Sequence, residues 1–125
     1  VGSEMCIRDS HTTVCDINLN DSPTWRPRSA FPDGVNVEFV EQIDQHTVAM
    51  RVYERGSGET MSCGTGTVAV AATMATRTGH RGPWTVQVPG GRVVVTLSPF
   101  DDGYRAILTG PAVILAAGKV NLPNG

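Results

Sequence analysis

Cys63 is the residue whose type and neighbours best suit chemistry in this chain. It follows the run Glu-Thr-Met-Ser at 59–62 and precedes Gly64, Thr65 and Gly66, where a glycine turn is predicted to become a helix. A helix N-terminus carries unpaired N–H groups and the positive end of the helix dipole, which favour thiolate over thiol and attract a substrate carboxylate. The sequence therefore predicts an acid–base group and an anion site at the same few atoms.

The helix dipole is a weak activator by itself. Its contribution of roughly 0.3–1 kcal/mol corresponds to less than about one pKa unit. A working base at this position needs a second catalytic group, a closed dry cavity, or a substrate ammonium that pairs with the developing charge.

Composition narrows the classes of partner and cofactor. The chain has 125 residues and a net charge of −2, which predicts one domain, and its ten Lys and Arg residues are scattered singly. Nucleic acid and membrane surfaces are therefore not expected as partners. The single lysine, Lys119, lies near the end of the chain, so a Schiff-base cofactor is not expected, and no other cofactor is indicated.

The cysteines and histidines favour a reduced, metal-free protein. Cys6, Cys15 and Cys63 are odd in number and widely spaced, which is typical of free thiols in a cytoplasmic protein. Cys15 is expected in the core of a short strand. The three histidines, at 11, 46 and 80, do not have the spacing of metal ligands.

The order of apolar and turn residues predicts an α+β fold. Residues 1–10 fit no element and are interpreted as an artificial leader, such as a translated adapter, which leaves 11–125 as the folded domain. A helix buried on every side is predicted for 64–77, ending at Gly79. Strands are predicted at 12–17, 35–40, 47–54, 84–88, 92–97, 104–109 and 112–116. A mostly antiparallel sheet or barrel wrapped around one central helix satisfies this order.

Four segments carry a resemblance to a known family. Residues 51–66 read Arg-Val-Tyr-Glu-Arg-Gly-Ser-Gly-Glu-Thr-Met-Ser-Cys-Gly-Thr-Gly, and residues 31–40 read Phe-Pro-Asp-Gly-Val-Asn-Val-Glu-Phe-Val. Pro-Gly-Gly-Arg at 89–92 and Leu-Thr-Gly-Pro-Ala at 108–112 follow. Together these segments resemble the second, C-terminal half of the diaminopimelate epimerases, over nearly all of the chain after Ser10.

The resemblance implies a cofactor-independent isomerase with two facing halves, each of which contributes one cysteine. In the part that this chain would supply, Cys63 is the acid or base, and the N–H groups of Gly64 and Thr65 hold the carboxylate at the reacting carbon. Glu54 receives the α-ammonium group of the amino-acid substrate. Two further residues, Arg55 and Asn36, hold its distal end.

The resemblance also implies what this chain lacks. The first half of the family, with its own cysteine, is absent, and Cys6 is no substitute because Ile7, Arg8 and Asp9 replace the glycines of the family motif. His11 resembles the histidine of the family's Asn-Pro-His segment and is a candidate site residue, but Asp9 and Ser10 stand in place of Asn-Pro, which implies that one substrate contact is missing as well. The missing half domain is therefore an expected partner, and pairing of two copies through the open face is a further expectation.

Three alternatives remain open at the level of sequence. A proline racemase-like enzyme of similar fold also carries the Cys-Gly-Thr-Gly-Thr run found at 63–67, although Glu54 and Arg55 favour a substrate with a second polar end. A cysteine in a glycine turn is also common in a noncatalytic packing or binding module. Thiol hydrolase chemistry is the weakest, because no histidine is placed by sequence to activate Cys63.

Overall fold

The computed structural model describes residues 4–7 and 13–123, which form one mixed sheet, one α-helix and two short 3-10 helices. The strands are β1 Glu4–Ile7, β2 Asn36–Gln42, β3 Thr47–Glu54, β4 Gly58–Thr60, β5 Trp84–Val88, β6 Gly91–Phe100 and β7 Gly103–Thr109. The helix α1 is Gly64–Thr78, and the 3-10 helices are Val14–Asp16 and Arg28–Ala30.

The seven strands form a single curled sheet that makes a half-barrel. Their order is β1-β2-β3-β5-β6-β7, and β4 pairs with β3 away from this path. The β1–β2 and β3–β5 pairs are parallel and the other pairs are antiparallel. Helix α1 packs against β1, β2, β5, β6 and β7. The α+β class predicted from the sequence, one helix with a mostly antiparallel sheet wrapped around it, is confirmed.

The β2–β3 hairpin forms where the sequence predicts it, because alternation and turn chemistry agree. The N–H groups of Ile43 and Asp44 donate to the carbonyl of Thr47, and the Asp44 carboxylate accepts the N–H of His46 at 2.8 Å. On the side that faces α1, alternate β3 residues (Val48, Met50 and Val52) are fully buried. They pack with Trp84, Val86 and Val95 of the next strands and with the helix.

Helix α1 begins and ends as predicted but is not buried on every side. It is followed by Gly79, whose φ of 75° is left-handed and whose N–H donates to the carbonyl of Ala75 at 2.8 Å. One face is buried, while Thr73, Thr76 and Arg77 on the other face are exposed. The Thr73 and Thr76 hydroxyls donate to backbone carbonyls one turn earlier. The small threonines on this exposed face therefore made the helix read as apolar on every side. Among the described residues, no helix is long and apolar enough to cross a bilayer.

Two predicted strands are wrong. The strand predicted at 12–17 begins at a residue that lies outside the described ones, and 14–16 form a 3-10 helix. The carbonyls of Val14, Cys15 and Ile17 all accept from the Arg51 guanidinium, a convergence that an extended strand with its alternating carbonyls does not allow. Residues 112–116 have no regular structure. They pair with no strand within 4–7 and 13–123, and Ile114 is 88% exposed.

Two strands were not predicted. The short β4 forms a hairpin with β3 through the turn at 55–57, where Gly56 has a φ of 80°. β1 lies within 1–10, where no element was predicted, and it extends the sheet beside β2. The artificial origin of residues 1–10 stays a prediction.

Arg51 of β3 connects residues 14–17, which lie on the outer face of the sheet, to Glu59 of β4. Its Nη1 donates to the carbonyls of Val14 and Ile17 at 2.8 and 2.7 Å, while its Nε and Nη2 donate to the two Glu59 carboxylate oxygens at 2.6 and 2.8 Å. This bidentate hydrogen bond is the main reason that the pKa of Glu59 is lowered from 4.5. On the same face, Val37 is 1% exposed.

We expect the Arg51–Glu59 pair to make stability depend on pH in the acid range. Because the Glu59 pKa is lower in the folded chain, its contribution is present above about pH 4.5 and is lost as the pH falls through the folded pKa. Glu59→Gln should lower the free energy of unfolding at pH 7 by about 0.2–1 kcal/mol, as for a partly exposed pair. Urea unfolding between pH 7 and 3 should show this difference shrinking, whereas Asp21→Asn, at an exposed acid, should not reproduce it. A difference that grows on acidification would contradict the prediction.

Candidate active site

Cys63 is the N-cap of α1, the position predicted from the sequence. Its backbone is extended, with φ −134° and ψ 113°, and its carbonyl accepts the first helical hydrogen bond, from the N–H of Thr67 at 2.9 Å. The Thr67 hydroxyl donates to the same carbonyl at 2.7 Å. The N–H groups of Gly64, Thr65 and Gly66 therefore precede the first intrahelical bond and have no acceptor within the helix.

The thiol and the residues beside it differ in their contact with solvent. Cys63 is 8% exposed and belongs to the core cluster, whereas Gly64 and Thr65 are exposed. The Cys63 Sγ lies 3.5 Å from the Thr65 Oγ1. The thiol is thus largely shielded from water, while the start of the helix remains open to a ligand.

Asn36 and Glu54 lie at the same end of the sheet and on its helix-facing side. Val37 pairs with Tyr53, so continuing this register sets Asn36 beside Glu54. Side chains alternate along a strand, and Asn36 therefore shares a face with Glu38, which contacts α1 at Gly66. Glu54 likewise shares a face with Val52 of the core.

Local hydrogen bonds hold these residues in place. The Asn36 Oδ1 accepts the N–H of Arg55 at 2.9 Å, and the Glu54 Oε1 accepts the Thr60 hydroxyl at 2.5 Å. The exposed Arg55 donates from Nη1 to the carbonyl of Asp33 at 3.2 Å. Its side chain crosses Gly34, where a Cβ would come within 2.8 Å of the Arg55 Cδ.

The segment between β4 and α1 is fixed by the β5–β6 turn. The N–H of Gly90 donates to the carbonyl of Met61 at 2.8 Å, and a Cβ on Gly90 would lie 3.0 Å from that oxygen. Ser62, Arg92 and Gly110 line a neighbouring recess of about 390 Å³. Three of the segments that carry the family resemblance therefore meet beside Cys63.

The remaining sequence-predicted residues have mixed outcomes. His11 lies outside the described residues. Cys15 is exposed, so its predicted place in a strand core is wrong: it belongs to a 3-10 helix on the outer face. The rings of His46 and His80 lie 4.0 Å apart, and no group of three His, Cys, Asp or Glu side chains that could hold a metal is found within 4–7 and 13–123.

Glu38 is the residue near the site that was not singled out from the sequence. It is 0% exposed and lies on β2 against the first turn of α1. The sequence does contain a signal that could have found it: Glu38 is a carboxylate in an apolar strand, two positions from Val40, and residues two positions apart on a strand face the same side.

Fold and site together define a half-barrel that presents one cysteine at the N-terminus of its helix, and comparison with known proteins agrees with this class. The family model described as diaminopimelate epimerase matches residues 5–115. The diaminopimelate epimerase of Streptomyces coelicolor is 53% identical over 109 residues, which are 82% of this chain and 37% of that protein. Those of Rhodococcus opacus and Corynebacterium glutamicum are 48% and 46% identical, each over 90% of this chain and 39% of the relative.

The chain belongs to the diaminopimelate epimerase family. It spans 37–39% of the length of these relatives.

Proposed function

We propose that this chain is the C-terminal half of a cytoplasmic, cofactor-independent epimerase that interconverts LL- and meso-diaminopimelate. The observation that carries the proposal is the position of Cys63 at the N-cap of α1, beside the exposed Gly64 and Thr65. The first turn of that helix packs at Gly66 against Glu38, on the strand that begins at Asn36. Family membership supports the same reaction and substrate.

In this proposal Cys63 removes or returns the α-proton on one face of the substrate. The N–H groups of Gly64 and Thr65 hold the α-carboxylate, where fixed dipoles stabilise the charge of the carbanion without reorganisation. Glu54 binds the α-ammonium. Arg55 and Asn36 bind the distal end, where a guanidinium suits a carboxylate.

Inversion at the α-carbon requires a second group on the opposite face, because a single base returns the proton to the side from which it came. The first half of the enzyme would provide that group as a second cysteine. Closing the two halves would exclude water, strengthening every electrostatic interaction at the reacting carbon. Since this chain supplies one thiol and one helix N-terminus, we propose that it is inactive alone.

Complementation tests this proposal. The chain alone should incorporate no solvent deuterium at the α-carbon of diaminopimelate, and epimerisation should appear when it is joined to the first half of the S. coelicolor relative. Nuclear magnetic resonance in deuterium oxide measures both. Deuterium incorporation by the isolated chain would contradict the proposed division of labour between two thiols, and an inactive but folded assembly would contradict the proposed function.

A noncatalytic packing role is the candidate favoured by one observation, the 8% exposure of Cys63. It predicts that Cys63 in the assembled protein reacts with iodoacetamide with the pH dependence of an ordinary buried thiol. The proposed epimerase predicts faster alkylation near neutral pH, and protection by diaminopimelate. Mass spectrometry of the Cys63 peptide distinguishes the two results.

A further inference from the structure

Glu38 is the one charged residue that is buried among those whose burial is described. It is 0% exposed, and it faces the helix from β2 among apolar neighbours that include Val40 and Val52. Burying a carboxyl group in such surroundings is unfavourable unless polar partners compensate for lost water. Because the proposed chemistry does not use Glu38, its burial must be explained by another role of this carboxyl group.

The carboxyl group of Glu38 packs against the third residue of α1. A Cβ built on Gly66 would lie 2.7 Å from the Glu38 Oε1 and 3.3 Å from its Cδ, so the carboxyl occupies the space that a side chain at 66 would need. Gly66 belongs to the first turn, whose N–H groups form the positive end of the helix, and a carboxylate is favoured there. Its other oxygen, Oε2, lies 3.7 Å from the Cys6 Sγ, which donates to it.

This contact is close to the candidate acid–base group. Gly66 follows Cys63 by three residues, and Thr67, the next residue, is fully buried and bonds the Cys63 carbonyl through both its N–H and its hydroxyl. Asn36 lies two residues before Glu38 on the same face of β2. One strand therefore supports the first turn of α1 and also carries a proposed substrate-binding residue.

We propose that Glu38 is the positioning residue of the site: its carboxyl group, packed under the first turn of α1 at Gly66, sets where Cys63 and the N–H groups of Gly64 and Thr65 are presented. Glu38 does not touch substrate, because it is fully buried. The inference rests on the proposed acid–base role of Cys63. It adds that the geometry of the thiol depends on a side chain from the neighbouring strand.

Two changes separate positioning from a general contribution to stability. Glu38→Gln keeps the shape of the side chain and removes its acidic group, and Glu41→Gln is the matched control on the same strand, where Glu41 accepts the N–H of Val14 on the opposite face of the sheet. Gly66→Ala introduces a methyl group that meets the Glu38 carboxyl. Because Glu38→Ala removes the atoms that this methyl meets, the double variant should recover part of the loss.

The experiment measures kcat, KM and the alkylation rate of Cys63, all in the assembled enzyme. We expect Glu38→Gln and Gly66→Ala each to lower kcat by about tenfold or more, with a smaller change in KM, since misplacement by about 1 Å can cost up to 10²-fold. Both should change the Cys63 alkylation rate, whereas Glu41→Gln should change neither quantity more than about twofold. The Gly66→Ala and Glu38→Ala effects should not add.

Three results would overturn the inference. In the first, Glu38→Gln lowers the melting temperature while leaving kcat and the alkylation rate equal to those of Glu41→Gln. In the second, Glu38→Gln fails to fold where Glu41→Gln folds, which assigns the carboxyl to stability alone. In the third, the losses from Gly66→Ala and Glu38→Ala add. Failure of the acid–base role proposed for Cys63 is a separate outcome, recognised by full epimerisation in Cys63→Ser, and failure of the proposed function is recognised by an inactive but folded assembly of the unsubstituted chain.

Discussion

Replacing Cys63 by alanine should abolish epimerisation in the enzyme assembled from this chain and its first half. General acid–base catalysis by one positioned group contributes typically about 10²–10⁴-fold, and inversion has no route around the lost thiol, so we expect kcat to fall by at least about 10³-fold. The substitution removes one sulfur from a mostly buried position, so the chain should still fold.

Cys15→Ala is the matched control for this variant. Cys15 is an exposed thiol on the outer face of the sheet, its carbonyl accepts a hydrogen bond from Arg51, and it has no place in the proposed site. Its replacement should leave kcat within about twofold. A Cys63→Ala enzyme that keeps more than about one tenth of its kcat would show that the acid or base is another group.

Arg55→Ala should give the second largest loss, expressed mainly in kcat/KM for diaminopimelate. Hydrogen bonds to charged groups are worth about 1.5–3 kcal/mol, which corresponds to roughly 10–10²-fold when the partner carboxylate is left without its cation. The backbone N–H of Arg55 would still donate to the Asn36 Oδ1, since that bond does not involve the guanidinium. The effect should therefore report the distal end of the substrate.

The control for Arg55→Ala is Arg77→Ala. Arg77 is exposed in the last turn of α1, thirteen positions beyond Gly64, or about 20 Å along the helix from the proposed site. Turnover should be unchanged within about twofold. If Arg55→Ala also leaves diaminopimelate turnover unchanged, Arg55 does not bind the distal carboxylate. An amino acid without a second charged end, as in proline racemase-like enzymes, then becomes the better candidate substrate.

Several parts of the structure follow from patterns that span only a few residues. The β2–β3 hairpin follows from alternating apolar residues and the Asp44 turn, and α1 follows from its run of small residues closed by Gly79. These predictions are confirmed because periodicity and turn chemistry act between near neighbours. The position of Cys63 at the start of the helix is determined in the same way.

Where the local sequence pattern and long-range contacts favour different structures, the long-range contacts determine the secondary structure that forms. Residues 12–17 have a strand-like composition, yet the carbonyls of Val14 and Ile17 accept hydrogen bonds from Arg51, far along the chain, and 14–16 form a 3-10 helix. The segment 112–116 has the composition of a strand but pairs with no strand among the described residues, and its apolar side chains are exposed. Hydrogen bonding between strands requires a partner that sequence pattern cannot supply.

Local sequence pattern is enough to predict that a cysteine caps a helix, that glycines follow it, and that Asn36, Glu54 and Arg55 belong to strand ends. The folded chain adds that Asn36 and Glu54 share one end of one face, that the thiol is mostly buried, and that the Glu38 carboxyl lies under Gly66. Burial and side-chain contact could not be predicted in this way because they are properties of surfaces brought together from distant parts of the chain. Helix capping and turns, by contrast, depend on neighbours a few residues apart.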